Sequence, residues 1–202
     1  VVIDDSNFQT AVDLWFDNQA EANATYGHIS DWNVSAVTDM SNAFDGRTTF
    51  NEDIGRWDVS NVTRMSEMFR EAKSFNQPIG NWNLSSAIII WGMFQDAEAF
   101  NQPIGNWNVS SVTGMANMFK GALAFNQNIN TWDVSKVINM VNFLNGASSF
   151  NQDISDWNIS SVTNLNYSFV GTPALSNINM GLIHSSFSSN SNWPYDWAVY
   201  AN

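Results

Sequence analysis

A tryptophan recurs every 25 residues along most of this chain of 202 residues. The six positions are Trp32, Trp57, Trp82, Trp107, Trp132 and Trp157. A fixed period of this length means that each repeat is one small structural unit, which buries its apolar side only by stacking on its neighbours. The period therefore limits the chain to a stack of repeats before any local structure is considered.

Within one repeat, the spacing of apolar residues predicts a short strand followed by a short helix. Trp57 and Val59 alternate with polar residues, as in a strand. Val62, Met65 and Phe69 follow at the spacing of one helical face. The sequence therefore predicts an α/β repeat solenoid, a right-handed stack of about six 25-residue turns capped at both ends.

The N-terminal region departs from the period, and we interpret it as a cap. Phe8 and Trp15 lie on one face of a helix predicted at about 7–18, and a polar connector follows it. We assign residues 1–28 to this N-terminal helical cap and connector, and residues 29–175 to the repeat solenoid.

The last stretch, residues 176–202, is assigned to a C-terminal aromatic cap. A short helix is predicted over 180–188, and Trp193, Tyr195 and Trp197 follow it. Aromatic side chains with a polar tip suit two roles, covering the open end of the stack or stacking on the rings of a sugar. Both interpretations stay open.

Asparagine also recurs at the 25-residue interval. The positions are Asn51, Asn76, Asn101, Asn126 and Asn151. A buried amide needs hydrogen-bonding partners. In a stack each of these side chains lies between its equivalents in the repeats above and below. We therefore predict a structural ladder of hydrogen bonds along this column.

One repeat departs from the common pattern. Ile88, Ile89 and Trp91 occupy columns that are mostly small or polar in the adjacent repeats, and Thr63 and Thr113 flank Ile88 in its column. Exposed apolar patches often mark a surface that contacts a partner. These three residues are our leading candidates for ligand binding or self-association. The alternative is a local repacking with Trp91 folded beneath a neighbouring segment.

The composition excludes several classes of function. The net charge of −12 repels phosphate backbones, so we expect no nucleic-acid partner. No apolar run is long enough to span a bilayer, so we expect no membrane insertion by this segment. The absence of cysteine removes disulfides and thiolate metal sites. The first residues do not resemble a signal peptide, and we expect any leader or anchor to lie outside this segment.

The residues that commonly carry catalysis do not form a recognisable pattern. The histidines, His28 and His184, lie outside the repeats and have neither metal-ligand nor catalytic-triad spacing. Glu52 and Asp53 are adjacent, but neighbours in a strand point to opposite faces, which does not suit a glycosidase. Turn formation explains the Asp/Asn column that includes Asp58 better than calcium binding does. We therefore expect no enzyme, no metal and no cofactor.

The repeat unit Phe-Asn-Gln-x-Ile-x-x-Trp-(Asn/Asp)-Val-Ser-x-Val-Thr-x-Met-x-x-Met-Phe-x-x-Ala resembles the repeat of bacterial surface proteins of the BspA-like type. The same repeat occurs in mycoplasma surface lipoproteins. The resemblance covers about residues 29–175 and is interrupted at 85–91. It implies a secreted or surface-displayed, leucine-rich-repeat-like module for adhesion or interaction, and it brings no catalytic residues.

The residues and the resemblance together predict a non-enzymatic extracellular or cell-surface module for binding or adhesion, with a protein or carbohydrate ligand. Two alternatives stay open. One is a structural surface or matrix element that self-assembles through Ile88, Ile89 and Trp91. The other is an enzyme that acts on glycans.

Overall fold

The computed structural model describes residues 1–201 as a stack of layers around one continuous apolar core. The chain begins with two helices, α1 (Phe8–Asp17) and α2 (Gln19–Tyr26), and a single 3-10 turn at Ile29–Asp31. It ends with α3 (Asn177–Phe187) and a 3-10 turn at Ala198–Tyr200. Between them the repeats form six layers: 29–53, 54–78, 79–103, 104–128, 129–153 and 154–175.

The prediction of a short strand and a short helix within each repeat is wrong. Between residues 32 and 176 the structure contains neither an α-helix nor an extended strand. Successive layers are joined instead by isolated parallel bridges between residues 25 positions apart. The bridged residues are Asp39, Arg64, Ile89, Gly114, Asn139 and Asn164, and a further bridge joins Asp4 to Ala36. The protein is therefore not an α/β solenoid, and its repeats are not leucine-rich-repeat-like, because each layer consists largely of turns.

Backbone hydrogen bonding explains why apolar residues at helical spacing do not form a helix here. Met40 N–H donates to the Arg64 carbonyl oxygen in the next layer, 2.9 Å away. Phe44 N–H donates in the same way to Met68, 2.8 Å away. The amides between them close turns within the layer, as Ala43 N–H does with the Met40 carbonyl at 3.2 Å. An α-helix needs every amide for its i→i−4 bonds, and alternate amides are already committed to the next layer.

Two columns of the repeat also adopt a left-handed backbone, which interrupts any helix. The angle φ is 60° at Asn42 and 62° at Gly92 in the first column, and 69° at Gly46 in the second. The other members with positive φ are Glu67, Asn117, Asn142 and Tyr167 in the first column, and Glu71, Asp96, Gly121, Gly146 and Gly171 in the second. Glycine and asparagine adopt this conformation at the lowest cost. Their recurrence is the sequence signal against a helix.

Aromatic columns fill the core and connect its layers. Phe69 and Phe75 stack face to face within one layer, with ring centroids 4.0 Å apart, and Phe69 stacks on Phe94 of the next layer at 5.5 Å. The tryptophan column is buried beside them. Trp82 Nε1–H donates to the carbonyl oxygen of Ile54 in the preceding layer, at 3.2 Å. A buried indole N–H without an acceptor would be costly, so this repeated bond fixes each layer on the one before it.

The N-terminal helix predicted at about 7–18 is present as α1 and covers the first layer. Trp15 packs edge-on against Trp32, with ring centroids 6.2 Å apart. The polar segment expected to connect this helix to the repeats forms α2. Asn18 caps α2 by accepting the Glu21 N–H at 3.3 Å. No helix within residues 1–201 is long and apolar enough to cross a membrane.

Candidate functional site

The structure brings Ile88, Ile89 and Trp91 together on the outer surface of the third layer. Ile88 is 44% exposed and Trp91 is 37% exposed. Ile89, between them, is half-buried, and its backbone forms the bridges to Arg64 and Gly114. The Trp91 side chain therefore reaches the surface, and the three residues form a contiguous apolar area.

Two further apolar residues extend this surface, and the sequence analysis missed them. Ile138 is 51% exposed and lies in the column of Ile88, two layers further along. Thr113 N–H donates to the Ile88 carbonyl, and Ile138 N–H to the Thr113 carbonyl, both at 2.9 Å. Val141 lies in the column of Trp91, two layers further along the stack, and is half-buried. We call Ile88, Ile89, Trp91, Ile138 and Val141 the central apolar patch. Their shared register, at steps of 50 residues, is the signal that links them.

The fourth layer lies in the middle of the central apolar patch and contributes only small side chains. These are Thr113, Gly114 and Ala116, and all three are half-buried. A Cβ added to Gly114 would have no neighbour within 4 Å, so the space over this residue is open. The larger side chains of the third and fifth layers therefore lie on either side of the lower surface of the fourth layer.

The central apolar patch is uncharged, although the chain carries a net charge of −12. Residues 88–91, 113–116 and 138–141 include no Asp, Glu, Lys or Arg. The same columns of the first two layers carry Asp39 and Arg64, which form an ion pair at 3.4 Å. The patch is thus bordered by charge at one end and surrounded by an acidic protein.

The aromatic residues of the tail are used in the C-terminal cap. Trp193, Tyr195 and Trp197 pack edge-on against Phe169 of the last layer, with ring centroids 5.9, 5.7 and 5.3 Å away. Tyr195 Oη accepts the Phe169 N–H at 2.9 Å, and burial raises the pKa of the Tyr195 phenol. All three side chains are half-buried against the core. These contacts therefore cover part of each aromatic side chain.

Both histidines take part in local packing. His184, in α3, accepts the indole N–H of Trp193 at Nδ1, 3.1 Å away. His28 Nδ1 lies 2.8 Å from Ser30 Oγ, and its ring packs edge-on against Trp15 at 4.8 Å. Within residues 1–201, no group of three His, Asp or Glu side chains is arranged to hold a metal ion.

The recurring Asp/Asn column forms turns rather than a cation site. Asp58 Oδ1 accepts the Ser60 N–H at 3.0 Å and the Ser60 hydroxyl at 2.6 Å. These hydrogen bonds, with the hydroxyl contributing most, lower the pKa of the Asp58 carboxyl. The same backbone bond recurs at Asn33, Asn83, Asn108, Asp133 and Asn158. Each layer therefore turns at this point with the help of one side-chain oxygen.

The asparagine column forms a ladder along one edge of the stack. Asn51 Oδ1 accepts the Asn76 N–H at 2.9 Å, and the bond recurs in every following layer. At the end of the stack, Asn151 Oδ1 accepts the Ser176 N–H at 2.9 Å. Asn51 is exposed and the other four are half-buried, so the predicted ladder runs along a column that is partly open to solvent.

A groove of about 480 Å³ lies between the sixth layer and the tail. Uncharged polar side chains line most of it, including Asn158, Ser160, Ser186, Asn190 and Asn192. None of the predicted site residues lies in it.

Comparison with known proteins identifies a family without adding a function. Searches of curated proteins and of solved structures give no match. The model of the family described as "Mycoplasma protein of unknown function, DUF285" matches residues 10–122 and again residues 102–191. The expected roles in adhesion and secretion therefore gain no support from relatives. The two matches together span most of the chain, which belongs to the DUF285 family.

Proposed function

We propose that the chain is a non-enzymatic binding module displayed at a cell surface, and that the central apolar patch contacts a protein partner. The observation that carries this proposal is an uncharged, exposed apolar surface on a protein with a net charge of −12. A well-packed apolar anchor surrounded by charge is the usual anatomy of a protein interface. Trp91 and Ile138 are the residues expected to contribute most of the binding energy.

A protein partner fits this surface better than a carbohydrate. Sugar binding would draw on the aromatic faces of Trp193, Tyr195 and Trp197, which pack on Phe169 instead. The central apolar patch offers aliphatic side chains and one indole, with few hydrogen-bonding groups at its centre. A partner with an apolar centre and a basic periphery would complement both the patch and the acidic protein around it.

Surface display rests on the resemblance of the repeat unit to the BspA-like surface repeats. The layered architecture also suits display, because each layer is held by hydrogen bonds from its neighbours on both sides. The central apolar patch spans three such layers, so its residues keep their spacing without reorganisation on binding.

The test compares variants of the central apolar patch with a matched control on an array of purified extracellular proteins. Ile88→Ser combined with Ile138→Ser removes the two most exposed aliphatic groups of the patch. Leu123→Ser is the control, because Leu123 is 44% exposed, like Ile88, but lies in another column. We expect a partner that binds the parent chain and the control but not the double variant.

Light scattering on the same three proteins separates this proposal from self-assembly. A monomeric parent is expected at all concentrations. A parent dimer that becomes monomeric only in the double variant would assign the patch to self-assembly and overturn the proposal. Array signals that are equal for all three proteins would overturn it as well.

A further inference from the structure

The stack has a hydrogen-bonding direction, and this leaves one end with unused donors. In each of the first five layers, four alternate amides donate to carbonyl oxygens of the following layer. In the fifth layer these amides belong to Met140, Asn142, Leu144 and Gly146, and they donate to Asn164, Asn166, Ser168 and Val170 at 2.8–3.0 Å. We call the segment 164–171 of the sixth layer the C-terminal strip. It receives bonds on one side and presents only donors on the other.

The four donors of the C-terminal strip are the amides of Leu165, Tyr167, Phe169 and Gly171. The Phe169 amide donates to Tyr195 Oη at 2.9 Å. For the amides of the other three, no acceptor is present in the part of the chain that the structure describes. Tyr195 therefore supplies one acceptor where a seventh layer would supply four.

The surface around these donors is apolar and uncharged. Tyr167 is 61% exposed and Val170 is 47% exposed. The same columns carry polar or charged residues in most earlier layers, for example Glu67 and Lys120. No Asp, Glu, Lys or Arg occurs from 157 to 195. Proteins usually protect an unpaired backbone edge with charges, and the C-terminal strip has none.

We propose that the C-terminal strip binds a segment of a partner protein that is folded like a layer of the stack, with carbonyl oxygens that accept hydrogen bonds from the amides of Leu165, Tyr167 and Gly171. The segment would occupy the position of a further layer. Main-chain hydrogen bonds would provide the affinity, and Tyr167 and Val170 would contact apolar side chains of the segment. This surface is separate from the central apolar patch, and the proposal does not depend on it.

A second copy of the chain fits the C-terminal strip less well. Two such strips cannot pair with each other, because both present donors. The acceptor edge of a second copy is its first layer, where the N-terminal cap contacts the backbone and the charged residues Asp39 and Asp45 occupy the columns of Asn164 and Val170. Asp5 accepts the Thr38 N–H at 2.7 Å, and Gln9 Nε2 donates to the Ala43 carbonyl at 3.4 Å.

The test uses a peptide with the sequence of residues 63–72, acetylated and amidated, as the probe. In the folded chain this segment presents its carbonyls at 64, 66, 68 and 70 to the amides of the first layer. Hydrogen exchange of the full chain is followed by NMR with and without the peptide. Exchange through the free state slows about twofold when the peptide concentration equals the Kd, because half of the chain is then bound. We expect this slowing at 165, 167 and 171.

Matched variants show whether binding at the C-terminal strip causes the slower exchange. Tyr167→Asp with Val170→Asp adds two charges beside the donors and is expected to abolish the slowing. Asn142→Asp with Asn145→Asp adds the same charge in the same columns of the fifth layer and is expected to leave it intact.

Three results would overturn the proposal. The first is that amides 165, 167 and 171 resist exchange in the free chain as strongly as amides 140, 142 and 146, which would mean that the strip is already covered. The second is that exchange does not slow with the peptide, or slows equally in both variants, which would mean that the peptide does not bind at this edge. Self-association of the parent that disappears in Tyr167→Asp would assign the strip to a second copy.

Discussion

The side-chain oxygen of Asn101 lies 2.9 Å from the backbone nitrogen of Asn126, one layer further along the chain. Gln127 Nε2 donates to the same oxygen at 2.9 Å and to the Asn101 carbonyl at 3.0 Å. One side chain therefore satisfies donors from two residues of the next layer. An aspartate in its place would accept the same bonds, but it would stack carboxylates of like charge along the column.

Replacing Asn101 by Ala is expected to lower the free energy of unfolding by about 1–3 kcal/mol, because the Asn126 amide loses its acceptor. Urea denaturation measures this loss. Asn106→Ala is the control, because Asn106 is exposed and its side chain makes no hydrogen bond to another described residue. Equal stabilities for the two variants would show that the asparagine ladder contributes nothing.

Gly80 approaches the next layer so closely that a side chain cannot be added. A Cβ at this position would overlap the carbonyl oxygen of Pro103. Gly80→Ala is therefore expected to cost about 1–3 kcal/mol of stability, since the two layers must move apart. Gly114→Ala provides a contrast, because its Cβ would meet no atom within 4 Å. Thermal unfolding should separate the two variants, and a similar loss for both would contradict the close approach.

The layering of the chain was predictable from the tryptophan period, but the structure within a layer was not. Val62, Met65 and Phe69 have the spacing of a helical face, and a series of turns places them in the core equally well. Glycine and asparagine in the columns of Asn42 and Gly46 argued against a helix. Glu67 occupies the first of these columns with φ at 54°, so the column does not stand out in the sequence as one of glycine and asparagine alone.

The candidate site was predictable only in part, for two physical reasons. Ile88 and Trp91 stood out because they replace Thr and Ser, whereas Ile138 looked ordinary by itself and joins the patch only through the stacking register. The role of the tail was left open for a different reason. The sequence shows that Trp193 and Trp197 are aromatic, but only their contacts with Phe169 decide between a cap and a sugar-binding surface.

Acid is expected to weaken the turns made by the aspartates of the repeat. Hydrogen bonds from serine, chiefly its hydroxyl, lower the pKa of Asp58 and Asp133 below their ordinary value of 3.8. A carboxyl with a lowered folded-state pKa stabilises the protein above its unfolded pKa and loses that contribution as the pH falls through the folded pKa. The stability of the parent should therefore fall more steeply below pH 3.8 than that of a variant without these two carboxyls.

The suitable variant is Asp58→Asn with Asp133→Asn, because the chain itself carries asparagine at four equivalent positions: Asn33, Asn83, Asn108 and Asn158. An asparagine keeps the acceptor oxygen for the turn and removes the titration. Urea denaturation from about pH 5 to about pH 2 covers the relevant range. Parallel stability curves for the parent and the variant would count against the lowered pKa values.

Two buried serines are expected to respond in opposite directions to the same substitution. Ser66 is 2% exposed, and its hydroxyl has no hydrogen-bonding partner in the described chain. Ser168 is equally buried, and its hydroxyl lies 2.7 Å from the carbonyl oxygens of both Met140 and Leu165. Ser66→Ala removes an unsatisfied polar group and should raise the free energy of unfolding by about 1 kcal/mol. Ser168→Ala removes a satisfied hydroxyl and should lower it by about 0.5–1.5 kcal/mol. Urea denaturation of both variants measures these two changes. If Ser66→Ala lowered the free energy of unfolding as much as Ser168→Ala, the Ser66 hydroxyl would have a hydrogen-bonding partner in solution.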